Sequence, residues 1–280
     1  MAMAKKDTYR ERTVYISGGS SGIGLACAKL FASLGADVFI FARRVEALQE
    51  AAALIEACRT HPGQRVAWTS LDVTDHDQVL SSLSRAIAEF GPPHVVIASA
   101  GLAYPDYFDR IPFAMFDQTV RTNLYGMWNV LRALIPSMKA SGGHIVNVSS
   151  IAGFLGVFGY TAYSASKFAV IGLSEALRSE MKPHGIHVSV LCPPDTDTPG
   201  FARENLTKPL ETKALGESAG LMSPDDVARA MLRGMERGRF LILPGMEGRF
   251  ILAAKRLLPG VVNALMDRIV ARARRAAGGR

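Results

Sequence analysis

Short, continuous apolar runs punctuate this chain, and longer amphipathic stretches separate them. Residues 13–17 (TVYIS), 38–42 (VFIFA), 66–73 (VAWTSLDV), 94–101 (HVVIASAG), 144–150 (HIVNVSS), 187–192 (HVSVLC) and 240–243 (FLIL) each predict a strand. Helical spacing fills the intervals: 22–34, ending at Gly35; from the second run to about residue 59; 75–90, opened by Asp75; 113–140; 161–182; and 224–238, with Pro224 at the first turn. The strands are unbroken apolar runs rather than alternations, which is the pattern of strands buried on both faces. Strand and helix in strict succession imply right-handed βαβ crossovers. The expected fold is therefore α/β, a Rossmann-like doubly wound parallel sheet of about seven strands. No internal repeat or low-complexity linker interrupts it, so residues 1–245 are expected to form a single domain.

Residues 246–280 read differently. Val261, Val262, Leu265, Met266, Ile269 and Val270 fall on one helical stripe, with Asn263, Asp267, Arg274 and Arg275 on the other side. Pro259-Gly260 separates this helix from the stretch Phe250–Leu258. From Arg249 onward the basic residues outnumber the single acid, Asp267, by the whole of the chain's formal +7 excess. The preceding body is formally neutral, and no nucleic-acid partner is expected for it. The tail is a basic amphipathic segment of the kind that lies on a membrane surface. No uncharged apolar run reaches the ~18 residues of a spanning helix. Residues 1–13 are charged without an apolar centre, so no signal peptide is expected. Cys27, Cys58 and Cys192 are scattered, as reduced thiols in a cytoplasmic setting would be. The six histidines show no ligand spacing, and no metal is expected.

The first strand runs into S-G-G-S-S-G-I-G, Ser17–Gly24, and a helix follows at once. Gly18, Gly22 and Gly24 permit a tight turn that brings backbone N–H groups and a helix N-terminus to a pyrophosphate, with Ser20 and Ser21 as further donors. The second strand ends in Arg43-Arg44 with no acid before Glu46. A carboxylate at that place would bond a ribose 2′-hydroxyl, whereas a guanidinium pairs with a 2′-phosphate, so Arg43 favours NADPH. Asp72, after the third strand, is placed to bond an adenine amino group.

Tyr163 and Lys167 stand four apart at the start of a helix and face the same way. A neighbouring ammonium favours the phenolate and lowers the tyrosine pKa toward neutrality. Ser149-Ser150 ends the fifth strand, on the sheet edge where ligands bind, and Asn123 is a further polar candidate.

Taken together these residues resemble the short-chain dehydrogenase/reductase family over roughly residues 12–245. The match comprises the glycine motif, Asp72, Asn123-x-x-Gly126, the serine and Y-x-x-x-K. The resemblance implies Ser150, not Ser149, as the catalytic serine, and Tyr163 as proton donor and acceptor. It makes Lys167 the group that lowers the tyrosine pKa and binds the nicotinamide ribose, and Asn123 the holder of a relay water. It adds Ile23, Val73, Gly101, Pro193, Thr196 and Thr198 to the cofactor contacts. Two positions depart from the pattern: Ala98–Gly101 reads A-S-A-G where N-N-A-G is usual, and Pro193-Pro194 stands for P-G. The first weakens a loop hydrogen bond, and neither removes a catalytic group.

Residues 193–212 (PPDTDTPGFARENLTKPLET) and 158–183 are similar to one branch of that family, the 3-ketodihydrosphingosine reductases. The branch's cofactor lysine is here Ala47. This resemblance implies NADPH-dependent reduction of the 3-keto group of a long-chain sphingoid base. The residues are consistent with it: the lid segment 201–219 carries apolar side chains for a chain, and Asp195, Asp197 and Glu204 could face an amino group. The resemblance also implies a homo-oligomer. Other readings are reduction of a different lipophilic ketone (steroid, retinoid or 3-oxoacyl), or a non-catalytic NADPH-binding regulator.

Overall fold

The computed structural model describes residues 7–216 and 220–278. The first six residues, the end of the expected lid (217–219) and residues 279–280, Arg280 among them, lie outside them.

Strand β1 (Thr13–Ser17) leads into α1 (Gly22–Ser33), β2 (Asp37–Ala42), α2 (Val45–Glu56), β3 (Val66–Ser70), α3 (His76–Phe90) and β4 (Val95–Ala98). There follow α4 (Phe113–Val120), a π-turn at Arg121–Tyr125, α5 (Gly126–Met138), β5 (Gly143–Val148), α6 (Thr161–Met181) and β6 (Ile186–Leu191). The order closes with α7 (Pro199–Glu204), α8 (Leu210–Gly216), α9 (Pro224–Glu236), β7 (Leu241–Ile242), α10 (Glu247–Leu257) and α11 (Pro259–Gly278). All seven strands are parallel, in the order β3-β2-β1-β4-β5-β6-β7. The order reverses between β1 and β4, and such a switch point opens a crevice at the C-terminal edge of the sheet.

Each face of the sheet has its own core. Val14, Ile16, Val38 and Ile40 pack with α1, α2 and α9 through Phe31, Leu48 and Met231. Their neighbours in sequence, Tyr15, Phe39 and Phe41, point the other way and pack with α3, α5 and α6 through Leu83, Leu134 and Val170. Two-sided burial is why the strands read as continuous apolar runs.

Helix ends follow the local chemistry. Asp75 caps α3 by accepting from the Gln78 amide, Ser223 caps α9 by accepting from that of Asp226, and Gly35 follows α1 at φ +91°. The third and fourth strands end earlier than their apolar runs. Asp72 accepts from both the amide and the hydroxyl of Thr74, which turns the chain out of the sheet.

The tail forms two helices that break at Pro259, and α11 packs against α8. Its apolar stripe is divided. Val262, Met266, Ile269 and Val270 are half-buried, while Val261 and Leu265 remain exposed.

Candidate active site

At the C-terminal end of β1 the chain turns at Gly18, whose φ of +67° suits glycine and whose absent Cβ would meet the Ala100 nitrogen at 2.9 Å. A Cβ at Gly24 would strike the Gly18 carbonyl, so α1 starts hard against the turn. Ser21 stands at the N-cap of α1 and makes no capping hydrogen bond. The first-turn N–H groups and the serine hydroxyls therefore face a cleft of about 370 Å³, lined by Ser20, Ser21, Gly22, Arg44, Glu46 and Pro199 among others. Unsatisfied donors at a helix N-terminus fit a pyrophosphate. Ile23 lies in the first turn of α1, half-buried.

Arg43 follows β2 with its side chain 60% exposed and a guanidinium nitrogen 4.0 Å from Asp72. Arg44, rather than Arg43, lines the cleft beside the glycine turn. Val73 is buried and its carbonyl accepts from Asn129. Pro193 is buried, and its carbonyl accepts from the Ile151 amide. Thr196 is buried and donates to the Pro194 carbonyl. Thr198 caps α7 and brings its methyl to within 2.9 Å of where a Gly22 Cβ would stand.

Local spacing gave no sign of Ser17's part. Its hydroxyl accepts from the amides of Ser99 and Ala100, at 3.0 and 3.1 Å, and ties the A-S-A-G loop to the end of β1. Its position just ahead of the glycine turn was the available signal.

The two serines after β5 separate in role. Ser149 is buried and donates to the Lys167 carbonyl at 2.9 Å. Ser150 accepts from the Ala152 amide at 3.1 Å and hydrogen-bonds the Tyr163 hydroxyl. Helix α6 carries Tyr163 and Lys167 on one side, with the Lys167 ammonium 5.6 Å from the Tyr163 ring centroid and donating to the Val148 carbonyl at 2.8 Å.

Burial lowers the Lys167 pKa to about 8. The Tyr163 phenol is raised, first by desolvation and next by the Glu204 carboxylate, while its bond to Ser150 pulls the other way. The expected lowering toward neutrality is not seen: burial raises the phenol in this arrangement. A raised value keeps the phenol protonated at neutral pH, the state a proton donor needs.

Asn123 lies fully buried in the π-turn. Its amide accepts from the Leu102 N–H at 2.8 Å and donates to the Leu102 carbonyl and to Ser166, both at 2.9 Å. Both amide donors are taken, so the side chain holds the loop after β4 and leaves one lone pair for a water. Gly101 sits in the same place: a Cβ there would meet Asn123 Oδ1 at 3.1 Å and Lys167 Nζ at 3.5 Å.

A second polar group adjoins Tyr163. The Tyr160 ring lies 5.5 Å from that of Tyr163, and its hydroxyl donates to Glu204 Oε2 at 2.8 Å. The Lys208 ammonium stands 4.1 Å from the Phe201 ring centroid and interacts with Asp195 and Glu204. Asp197 is exposed. Among the described residues no His/Cys/Asp/Glu cluster is suited to a metal.

The sequence profile described as short chain dehydrogenase matches residues 12–209. The chain is 41% identical over 242 residues to a protein of Danio rerio named 3-dehydrosphinganine reductase, spanning 86% of this chain and 73% of that one. It is 40% identical over 256 residues to the 3-ketodihydrosphingosine reductase of Bos taurus, spanning 91% and 77%. Among solved structures, a short chain dehydrogenase/reductase of Burkholderia phymatum in complex with NAD superposes with a TM-score of 0.77 at 26% identity, covering 93% of this chain and 97% of that one. With its parallel sheet, glycine turn and Ser150/Tyr163/Lys167 group, the chain belongs to the short-chain dehydrogenase/reductase family.

Proposed function

We propose that this chain reduces the C3 ketone of 3-ketosphinganine to the alcohol with NADPH. The observation that carries the reading is the convergence of Ser150, Tyr163 and Lys167 at the sheet edge, in a chain 40–41% identical to relatives named for this reaction. The bound cofactor supplies the hydride. Ser150 and Tyr163 bond the ketone oxygen, and Tyr163 gives its proton to the alkoxide as it forms. Lys167, held by the Val148 carbonyl, would bind the nicotinamide ribose and replenish the proton. Asn123 is the positioning residue that fixes Gly101 and Leu102 beside Lys167. NADPH is favoured over NADH by the exposed Arg43 at the end of β2.

The reductase domain spans 1–245, and the tail 246–280 serves it from outside. No helix among the described residues is long and apolar enough to cross a membrane. Met246, Phe250, Leu257, Leu258, Val261 and Leu265 are nonetheless exposed on α10 and α11, interspersed with exposed Arg249, Arg256 and Arg268. That surface suits peripheral docking on the cytoplasmic face of an anionic membrane, where a sparingly soluble sphingoid base resides. A second copy of the chain suits a different surface, where Phe113, Phe116, Trp128 and Phe168 are exposed on α4, α5 and α6.

The test is loss of NADPH absorbance on adding 3-ketosphinganine to the purified full chain, with the product identified as sphinganine by mass. Turnover of a steroid, a retinoid or a 3-oxoacyl thioester in its place redirects the substrate assignment. NADPH binding without turnover of any ketone supports a regulator.

A further inference from the structure

The group beside Tyr163 has a charge pattern that proton transfer to a ketone does not require. Glu204 ends α7 and Asp195 lies in the loop after β6. Both are half-buried, and both act electrostatically on the Tyr163 phenol. One cation of the lid, the buried Lys208, stands among them against the rings of Phe201 and Tyr160. Two carboxylates face this one buried ammonium, while Lys213, which also acts on Lys208, is exposed to solvent, so the negative charge on the lid side of the tyrosine is only partly balanced. Lys167, which also acts on Glu204, lies on the catalytic side and is anchored to Val148. Glu204 Oε2 accepts from the Tyr160 hydroxyl, while Oε1 accepts from no described residue. Burial raises the pKa of both carboxyl groups, Asp195 against the pull of Lys208 and Glu204 against its bond from Tyr160. An arriving cation would relieve that cost.

In a 2-amino-3-ketone the nitrogen, its carbon and the carbonyl repeat the N–Cα–C geometry of a peptide unit, so the nitrogen lies about 2.5 Å from the carbonyl carbon. With the ketone oxygen on Ser150 and Tyr163, that nitrogen falls among the immediate neighbours of Tyr163. We propose that Glu204, oriented by Tyr160 and backed by Asp195, binds the ammonium group next to the reacting ketone and so selects amino ketones over plain 3-oxo compounds. This rests on the ketone-reductase reading above. Asp197, exposed and two residues beyond Asp195, takes no part.

The experiment compares full-length wild type, Glu204→Gln and Tyr160→Phe on 3-ketosphinganine and on the same chain lacking the amino group, with NADPH binding followed by fluorescence. Loss of a charge-assisted hydrogen bond lowers kcat/KM for the amino ketone by about 10–100-fold in Glu204→Gln. NADPH affinity stays within about twofold, and the amine-free ketone, which feels only the altered charge beside Tyr163, loses far less than the amino ketone. Tyr160→Phe, which keeps the carboxylate but loses its orienting donor, shows a smaller loss, again greater on the amino ketone. Equal losses on both ketones, or none on either, overturn the inference and leave the reductase reading standing. A wild type that reduces the amine-free ketone as well as the amino ketone overturns it too. A wild type that reduces neither overturns the reductase reading and this one with it.

Discussion

Arg274, near the end of α11, donates to Glu211 of α8 at 2.9 Å, and the same carboxylate accepts from the Tyr107 hydroxyl at 2.9 Å. Glu211 is 5% exposed in its side chain and Arg274 61%. Burial opposes the charge on Glu211, but the bonds from Arg274 and Tyr107 hold its pKa below the ordinary carboxylate value. The Arg274 guanidinium also stands 5.6 Å from the Phe158 ring, and Thr212 donates to the Phe158 carbonyl at 2.8 Å. Phe158 lies just ahead of Tyr160 and Tyr163, so the tail clamps α8 onto the segment that leads to Tyr163.

Arg274→Ala should therefore loosen α8 without touching Tyr163. A pair so exposed on one side is worth about 1 kcal/mol, a fall of roughly 2–4 °C in Tm for a domain of this size. The expected kinetic result is a severalfold rise in KM with kcat within about twofold, read from a substrate titration beside a thermal melt. An unchanged KM would show that the clamp does not bear on the substrate.

Tyr163→Phe keeps the ring and removes the phenolic proton beside Ser150. The expected loss is about 10²–10⁴-fold in single-turnover rate, with NADPH affinity within about twofold. A variant retaining half the wild-type rate would remove Tyr163 from the chemistry.

Arg43→Ala tests cofactor choice. The side chain makes one long ion pair with Asp72 and is otherwise open to solvent, so its loss should not unsettle the fold. Loss of a charge-assisted contact to a 2′-phosphate is worth roughly 1.5–3 kcal/mol, so NADPH should weaken by about 10–100-fold while NADH changes little. Equal weakening of both would shift the assignment to Arg44, which lines the cleft with Ser20 and Ser21.

The fold was legible because two-sided burial leaves a one-dimensional trace: Val14–Ile16 or Val38–Phe41 can only be a strand covered on both faces. The glycine turn and the Tyr163/Lys167 spacing were legible for the same reason, since both are local. Contacts between distant segments were not. Tyr160–Glu204 and Arg274–Glu211 join residues 44 and 63 apart, and helical periodicity says that Met266 and Ile269 share a face but not that α8 covers it. The π-turn at Asn123 has no pattern of its own, so its amide looked available until Leu102 and Ser166 were found to occupy it.

His144 gives the protein an acid-sensitive joint. Burial, and then the neighbouring His187, lowers its pKa to about 4. Ser189 donates to the Arg239 carbonyl, so His144 Nε2 must be the donor in its 2.8 Å bond to Ser189, which places the proton on Nε2. A histidine depressed in the folded state contributes stability that is full above its unfolded value, about 6.5, and is lost as pH falls toward about 4. Urea unfolding between those limits should show the loss, up to about 3 kcal/mol, and His144→Asn should flatten it. An equally steep profile in the variant would place the sensitivity elsewhere.

Deleting the tail is the direct test of membrane docking in principle, but the clamp makes it a poor one. A chain cut before α10 loses Arg274 along with the exposed surface, so any change would mix a loosened α8 with lost lipid contact. Charge reversal on the outer side separates the two. Arg249, Arg256 and Arg268 are exposed and carry no ion pair among the described residues, so Arg249→Glu, Arg256→Glu and Arg268→Glu together leave the Arg274–Glu211 bond in place. Each basic residue near an anionic surface contributes about 1 kcal/mol, so binding to anionic vesicles at low salt should fall on the order of 100-fold or more. Wild-type binding should itself weaken at high salt, as screening shortens the attraction. Leu257→Ser with Leu258→Ser should weaken binding at both salt concentrations, since those exposed side chains would enter the lipid by apolar transfer. The measurement is co-sedimentation, with turnover of a short-chain soluble ketone as the check that the site is intact. Equal sedimentation of wild type and both variants would mean that the outer face of α10 and α11 meets something other than a bilayer.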